Sequence, residues 1–411
     1  MISFKFGIAL LLFTFFVWEQ RKLIEILKSP VTDGPHETPQ ILKKGVPFIS
    51  VEAIVNNKID FNRKRGYISF SYNAQCNKKY RPQKKDVLLV KSGSTVGKVA
   101  VVETNTIFNI WSPLAALRVT NSNDPYFLYY LLQTNTLQRQ IINKSKGGTQ
   151  PNLSMRILEQ FKIFLPQNYL NQQKIEQLLR TLDKCISLQQ RKVKMLVLLK
   201  KEISNYYFSP SYLSRSCKEN SFKEIFTVVT DYVANGSFKS LRENVKTNTK
   251  QGYAYMIRLQ DASNNWKGPW LYTDKSGYNF LKKSKIYPGD IVMSNVGSVG
   301  KIIRIPKLSK PMTLAPNAIL LRSTKYDNDF LYELLKSDYG KNKIKRMTTP
   351  GVQNKINKTD FKKIKVHLPN SQEQKRISCL LTNMNILIHE VKSNISQKQK
   401  LKQFLLQNMF I

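Results

Sequence analysis

Two glycine-containing stretches decide the fold of this chain. The first, DVLLVKSGSTVGKVAVV, runs from Asp86 to Val102, and the second, DIVMSNVGSVGKIIRI, runs from Asp290 to Ile305. In each stretch an aliphatic run precedes and follows a short turn, which predicts two strands joined by a tight reversal. The turn glycines, expected to take the positive φ that such a reversal needs, are Gly93, Gly97, Gly297 and Gly300.

The second stretch also has features of a phosphate-binding loop. A P-loop places four residues between its glycines and a Ser or Thr after its lysine, because the backbone wraps the phosphates and the hydroxyl reaches Mg²⁺. Here Gly297 and Gly300 stand too close together, and Ile302 follows the lysine. The spacing therefore favours a hairpin over a nucleotide site.

The similarity of these stretches belongs to a longer internal repeat. Further pairs of segments keep the same order at a spacing of about two hundred residues. They are FLYYLL from Phe127 and FLYELL from Phe330, GTQPNL and GVQNKI, FKIFLP and IKVHLP, QQKIEQLL and QKRISCLL, and NYYF and QNMF. Collinear matches over half a chain indicate a tandem duplication.

Each copy is predicted to contain a mixed domain followed by a long helix. Short aliphatic runs alternate with turn residues and one helical segment, which is typical of an α+β domain. The predicted boundaries are an apolar extension at 1–17, a first domain at 18–168, a first helix at 169–208, a second domain at 209–370 and a second helix at 371–411.

The two helices are predicted to pair with each other as an antiparallel coiled coil. After Pro166 and again after Pro369, apolar residues recur mainly at steps of three and four for more than thirty residues, with polar residues between them, and Phe404 is one of the apolar residues predicted to face the other helix. A helix of roughly 35 residues is about 50 Å long. Such a pair can hold two domains apart like a ruler.

The charge of the chain points to a polyanionic partner. Lysine and arginine total 66 against 27 acidic residues, a formal net charge of +39. Nucleic acid is the first candidate and an anionic membrane surface the second. The four cysteines and three histidines are scattered without the spacing of a metal or redox motif, so no metal site is expected.

The apolar run from Gly7 to Trp18 admits three interpretations. It is too short to span a bilayer, and no small-residue cleavage site follows it. An extension that packs on the domain or comes from an uncertain start site is favoured over a peripheral membrane anchor and over a secretion signal. The charged sequence EQRKLIEILK then follows.

Together these features resemble the specificity subunit of type I restriction-modification systems, from about Trp18 to the end. The most specific pieces are WEQRKLIEIL, TDGPHETP from Thr32, TDYVANGSF from Thr230, the two hairpins, the proline-ended strands and the final LLQNMF. One departure is the apolar run before WEQRKL, where polar residues are usual in the family.

The resemblance implies a non-catalytic, cytoplasmic DNA reader. Each target-recognition domain would read one half of a split site in double-stranded DNA, and the helices would dock two modification subunits, with restriction subunits completing the enzyme. S-adenosylmethionine, ATP and Mg²⁺ would be used by those partners, and this chain would need no cofactor. In agreement, the sequence contains neither a Walker A motif nor an N-P-P-[FY]-like tetrapeptide.

The candidate DNA contacts are basic residues interleaved with aromatics, together with polar residues of the two TD-containing segments. They are His36, Lys58, Arg63, Lys64, Arg65, Lys78, Lys79, Arg81, Asn235, Ser237, Lys239, Arg242, Lys246, Arg258 and Lys267. Cations of this kind neutralise phosphates, and a few Arg, Asn or Gln side chains read bases. For any single lysine, a solvated face is the simpler explanation.

The two TD-containing segments have an alternative role. They can form turns in which Asp33 or Asp231 bonds its own backbone. A nuclease pair of Asp33 and Glu37 is disfavoured because no lysine stands at a suitable spacing. A stand-alone nuclease and a membrane-anchored basic scaffold remain the rival functions.

Overall fold

The structure is a computed structural model, and it describes residues 16–146, 150–216 and 218–410. The chain divides into two compact units, residues 1–190 with 393–411 and residues 191–392. Both units combine sheets and helices, so the predicted α+β class is confirmed. Apart from its last two residues, the predicted extension 1–17 lies outside the described residues.

Within the described residues, the first unit contains eleven strands, four complete α-helices and parts of both long α-helices. Its strands are β1 (Trp18–Lys22), β2 (Thr32–Asp33), β3 (Val46–Ile49), β4 (Ile54–Val55), β5 (Lys58–Ile59), β6 (Gly66–Ile68), β7 (Val87–Val90), β8 (Val99–Val101), β9 (Asn109–Ile110), β10 (Leu114–Leu117) and β11 (Lys162–Pro166). Its helices are α1 (Phe70–Lys79), α2 (Pro125–Leu131), α3 (Asn135–Ser145), α4 (Met155–Glu159) and the first part of α5 (Tyr169–Tyr207).

The sheets of the first unit place the quoted hairpin at the centre of the core. The order β2-β10-β7-β8 forms an antiparallel sheet, β6-β3-β9 forms a second sheet, and β1 pairs with β11. Strand β7 is buried along its whole length. Val87 and Leu89 join the cluster with the helices, while Leu88 and Val90 join the cluster on the other face. Because both faces of β7 are covered, its sequence shows no polar alternation.

The second unit repeats this plan. Its strands are β12 (Lys218–Ser221), β13 (Val228–Asp231), β14 (Thr247–Asn248), β15 (Ala254–Ile257), β16 (Tyr272–Thr273), β17 (Lys285–Ile286), β18 (Ile291–Ser294), β19 (Ile302–Arg304), β20 (Met312–Leu314), β21 (Ala318–Arg322) and β22 (Lys365–Leu368). Its helices are α6 (Pro210–Ser216), α7 (Phe222–Ile225), α8 (Phe238–Asn244), α9 (Leu259–Ser263), α10 (Lys275–Phe280), α11 (Asn328–Lys336), α12 (Asp338–Arg346), α13 (Lys358–Lys363) and the first part of α14 (Ser371–Asn408).

The strand orders confirm the duplication. The sheet β13-β21-β18-β19 corresponds to β2-β10-β7-β8, and β12-β22 corresponds to β1-β11. The quoted stretches form the hairpins β7–β8 and β18–β19. All four turn glycines have positive φ, between 72° and 97°. The prediction of a hairpin rather than a phosphate loop is thus confirmed.

The aspartate that begins each quoted stretch fixes its hairpin to the neighbouring strand. Arg118 donates from Nε and Nη2 to the two carboxylate oxygens of Asp86, at 2.7 and 2.8 Å. Arg322 donates in the same way to Asp290, at 2.6 and 2.5 Å. The hydrogen bonds to the carboxylate raise the pKa of each guanidinium. These bidentate ion pairs therefore have the same structural role in both copies of the repeat.

Both predicted long helices are present, and each begins at an asparagine after the proline-ended strand. The Asn168 side chain accepts a hydrogen bond from Leu170 N at 2.8 Å, and the Asn370 side chain accepts one from Glu373 N at 2.9 Å. Such caps satisfy amide groups that the first helical turn leaves unpaired. Local sequence therefore sets where each helix starts.

The long helices run antiparallel within each unit, as predicted. In the first unit, Lys402 near the end of α14 contacts Asp183 in the first half of α5, at 2.7 Å. In the second, Arg376 near the start of α14 lies 3.5 Å from the hydroxyl of Tyr207 at the end of α5. Phe404, which the apolar spacing places on the shared seam, is instead half exposed.

Candidate DNA-binding interface

The carboxylate of Asp33 organises the cationic surface of the first domain. Its side chain is fully buried at the end of β2. The ammonium of Lys79 contacts one carboxylate oxygen, while Lys91 Nζ and His36 Nε2 lie 3.3 and 3.1 Å from the other. Two ammonium groups facing one carboxylate leave an excess of positive charge at this place.

Lys79 reaches Asp33 from helix α1. The hydroxyl of Ser69 caps this helix by accepting from Tyr72 N at 3.1 Å. Lys78 and Lys79 occupy its last turn, where cations interact favourably with the helix dipole. Half of the Lys79 side chain is exposed. The Lys79 side chain is thus paired with a buried acid and is also accessible to solvent.

The loop after Asp33 is held against the domain by its backbone. A Cβ on Gly34 would collide with the carbonyl oxygen of Ile110, so only glycine fits there. Trp111 Nε1 donates to the carbonyl of Glu37 at 3.2 Å. The guanidinium of Arg65 stacks on the Trp111 ring, 3.8 Å from its centroid. The loop that carries His36 is therefore connected to Lys79 through Asp33 and to Arg65 through Trp111.

The second domain carries a buried aspartate at the equivalent strand end. Asp231 ends β13, and its carboxylate accepts from Ala234 N at 3.0 Å and from Lys358 Nζ at 2.8 Å. The predicted turn interaction is therefore present at Asp231. At Asp33 the structure gives the carboxylate cationic partners instead.

Three of the predicted contacts in the second domain have structural roles. The Asn235 amide donates to Tyr232 O and accepts from Lys283 N, so both of its ends are engaged. Ser237 caps helix α8. Arg258 donates to the buried Asp261 at 2.7 Å and to Pro269 O at 2.6 Å. Whether these residues also contact DNA stays a prediction.

The other predicted contacts lie on the surface of their domains. Arg63 is paired with Asp60 at 3.6 Å, and Lys64 lies over the Tyr67 ring at 4.9 Å. The exposed remainder is Lys58, Lys78, Arg81, Lys239, Arg242, Lys246 and Lys267. They stay predictions as phosphate contacts.

The described residues meet the requirements of neither a metal site nor a membrane-spanning helix. No group of three or more His, Cys, Asp or Glu side chains that could hold a metal ion occurs among them. Within the same ranges, no helix combines the length and hydropathy needed to cross a bilayer. The lysines that contact Asp33 lie 46 and 58 residues further along the chain, too far for a local sequence motif to reveal them.

Comparison with known proteins decides the family. The model of the type I restriction modification DNA specificity domain matches twice, at residues 17–197 and 218–398. The chain belongs to this family. Its identity as a type I restriction-modification specificity subunit, expected from the sequence, is thereby confirmed, and each match covers one copy of the repeat.

Two relatives of this specificity subunit come from Methanocaldococcus jannaschii. One, whose name assigns it to the MjaX type I restriction enzyme as specificity subunit, is 28% identical over 402 residues, covering 94% of this chain and 91% of that protein. The MjaVIII specificity subunit is 24% identical over 349 residues, covering 80% and 78%.

Solved structures share the fold of the specificity subunit. The S subunit of a type I restriction-modification system from M. genitalium has a TM-score of 0.59 at 17% identity, covering 97% of both chains. A chain from a study of assembly and conformational transition in the type I system has a TM-score of 0.56 at 16% identity, covering 95% and 96%.

Sequence reasoning missed four residues of the candidate interface: Asp33 as an anchor, Lys91, Trp111 and Lys358. The sequence allows a turn interaction for Asp33, and Lys91 directly follows an apolar strand, so that its position gives no sign of a role in binding. The TD dipeptide repeated at both strand ends was a usable signal, because a repeated acid in a basic chain needs partners.

Proposed function

We propose that this specificity subunit reads a bipartite site in double-stranded DNA, with each recognition domain contacting one half. The observation that carries the proposal is the repeated placement of lysine-anchored aspartates, Asp33 and Asp231, in two copies of one domain. A formal charge of +39 supports a polyanionic partner. Two similar DNA-facing modules in one chain suit a divided target.

The chemistry of the complex is proposed to belong to partner subunits. The specificity subunit would be non-catalytic and cytoplasmic, two modification subunits would transfer methyl groups from S-adenosylmethionine to adenine, and restriction subunits would use ATP and Mg²⁺. The carboxylate of Asp33 supports this division, because each of its oxygens already faces an ammonium group, which competes with the binding of Mg²⁺.

The long helices are proposed to dock the modification subunits. Helix α5 exposes an apolar stripe, which we define as Met195, Leu198, Leu199 and Tyr206, each more than half exposed. These residues follow helical spacing and therefore share one side of the helix. An exposed apolar patch of this kind is typical of a protein–protein interface.

Co-expression with a modification subunit, followed by genome-wide adenine methylation mapping, tests the proposed function. A split recognition sequence is expected, with its halves within roughly seventeen base pairs, since helices of 39 and 38 residues are about 57 Å long and base pairs stack at about 3.4 Å. Inserting one helical turn into both α5 and α14 should lengthen the spacer between the halves. An unchanged spacer would reject the ruler role, and cleavage or ATP turnover by the chain alone would reject the non-catalytic role.

A further inference from the structure

The pairing of a buried aspartate with a lysine occurs at the same strand end in both domains, but the lysines come from different elements. Lys79 belongs to α1 in the first domain. Lys358 is the first residue of α13 in the second. A pair that was only inherited with the duplicated scaffold would use the same lysine twice. Its rebuilding from another element indicates that the pair itself is needed.

The arrangement around Asp33 contains more positive charge than the burial of one acid requires. One ammonium is enough to compensate a buried carboxylate, and Lys91, itself 7% exposed, is available for that purpose. Lys79 adds a second ammonium whose side chain is 50% exposed. In the second domain the position of Lys91 is occupied by the neutral Asn295, and among the residues that the structure describes Lys358 is the one cation paired with Asp231.

An exposed lysine normally samples many rotamers, and it loses that freedom when it binds a ligand. A lysine already held by a buried acid has lost part of this entropy in advance, so its ammonium is preorganised for an anion. The anions that fit a single fixed ammonium on the surface of a basic DNA reader are the phosphates of the DNA backbone.

We propose that Asp33 and Asp231 are positioning residues that hold the ammonium groups of Lys79 and Lys358 against a DNA backbone phosphate, one in each recognition domain. This inference rests on the proposed DNA-reading function. It assigns to the repeated aspartates a role in affinity for any DNA sequence, because phosphate contacts carry no base information.

The test measures equilibrium binding of the full chain to a random-sequence DNA duplex by fluorescence anisotropy over a range of salt concentrations. Lys79→Gln should weaken binding roughly five-fold and reduce the slope of log Kd against log salt by about one, as expected for loss of one phosphate contact. Lys358→Gln should do the same from the second domain.

The substitution Asp33→Asn distinguishes the positioning of the Lys79 ammonium by Asp33 from the electrostatic effect of the Asp33 charge on DNA binding. It removes one negative charge, so a general electrostatic field predicts tighter binding. Positioning predicts weaker binding, by roughly three-fold, because the released ammonium must be ordered again. The matched control is Asp338→Asn, which removes the same charge from an exposed pair with Lys341 at 3.8 Å and should leave binding unchanged or slightly tighter.

Circular dichroism and thermal unfolding establish whether Asp33→Asn is folded. If it is folded and binds DNA as tightly as the wild-type chain or more tightly, the inference is overturned. If it does not fold, Lys79→Gln decides, since an unchanged salt slope overturns the inference and a slope lower by about one supports it. Failure of the wild-type chain to bind DNA would overturn the proposed function instead, so the two failures are distinguishable.

Discussion

In each unit a lysine of a long helix forms an ion pair, and the two lysines occupy equivalent positions of the repeat. The acids that they contact lie on different elements. In the first unit Lys402 lies 2.7 and 2.9 Å from the carboxylate of Asp183 on α5, to which the hydroxyl of Tyr130 also donates at 2.9 Å. In the second unit Lys200 lies 3.0 Å from the carboxylate of Glu333 on α11. The first ion pair joins the two long helices, whereas the second joins a long helix to its domain.

The difference arises because the acid and the neutral hydrogen-bonding residue have exchanged places between the two units. Tyr130 of the repeat corresponds to Glu333, and Asp183 corresponds to Asn385, whose amide donates to Glu333 at 2.9 Å. Each unit thus keeps one acid, one neutral hydrogen-bonding side chain and one lysine. The comparison teaches that the half-buried lysine requires one nearby acid, and that either neighbouring element can supply it.

The largest effect is expected where the two long helices differ on their surfaces. Met195 and Leu199 of the apolar stripe correspond to Gln397 and Leu401 of α14. The double substitution Met195→Glu with Leu199→Glu should abolish co-purification with the modification subunit, because a charge cannot be buried in an apolar interface. Gln397→Glu on α14 is the matched control and should leave assembly intact. Assembly that survives the double substitution would show that the stripe is not the docking surface.

Next in size is removal of the acid from each unit. Glu333→Gln should destabilise the second unit by about 3 kcal/mol, because it leaves Lys200 without an acid in a site where Glu333 is only 4% exposed. Asp183→Asn should cost the first unit only about 1 kcal/mol, since Asp183 is more open to water. Hydrogen exchange of amides in α11 and α2 measures each unit separately. An equal or reversed order would contradict the burial argument.

Exchanging the acid within the first unit sharpens the comparison further. Tyr130→Glu together with Asp183→Asn reproduces the arrangement of Glu333 and Asn385 around Lys402. Each single substitution should destabilise α2, and the double should recover about 1 kcal/mol of the summed loss through coupling. A double-mutant cycle measured by hydrogen exchange checks this. Strict additivity would mean that the two positions are independent.

The smallest effect concerns Glu176, a buried acid of the first unit whose equivalent in the second unit is a serine. Burial, with a smaller contribution from Asp124, raises the pKa of Glu176 to about 7. The equivalent Ser378 donates locally to Lys375 O at 3.1 Å and does not titrate there.

The folded state therefore holds a proton on Glu176 that the unfolded state releases at lower pH, so stability is lost as pH rises from about 4.5 to about 7. Glu176→Gln should be about 1 kcal/mol more stable than wild type at pH 8 and equal to it at pH 4. Thermal unfolding at both pH values measures this. A benefit that is the same at both pH values would show that ionisation is not its cause.

Much of the fold could be predicted because its signals are local. The hairpin glycines, the proline-ended strands and the long helices depend on residues within a few positions of each other, so period and turn chemistry reveal them. The exposure of Phe404 shows the limit of this reasoning. Apolar spacing identifies a helix, but the side that faces the partner depends on the partner's position.

The candidate interface was less predictable from sequence. Composition pointed to DNA, and Lys79 and His36 were among the predicted contacts. Their grouping around Asp33, and the inclusion of Lys91 and Trp111, depended on contacts across the fold. Asn235 is a second example, because both ends of its amide are engaged in hydrogen bonds within its domain, one of them to Lys283, 48 residues along the chain.

The sequence by itself determined the duplication, the α+β class, the two long helices and the basic character that suits DNA. Only the tertiary structure decided which lysines are held by acids, since Asp33 and Lys79 are 46 residues apart, and Asp183 and Lys402 are 219 apart. The physical reason is the separation along the chain over which each interaction acts. Backbone preferences act within a turn or two of chain, whereas an ion pair forms wherever folding brings opposite charges within about 4 Å and excludes water from them.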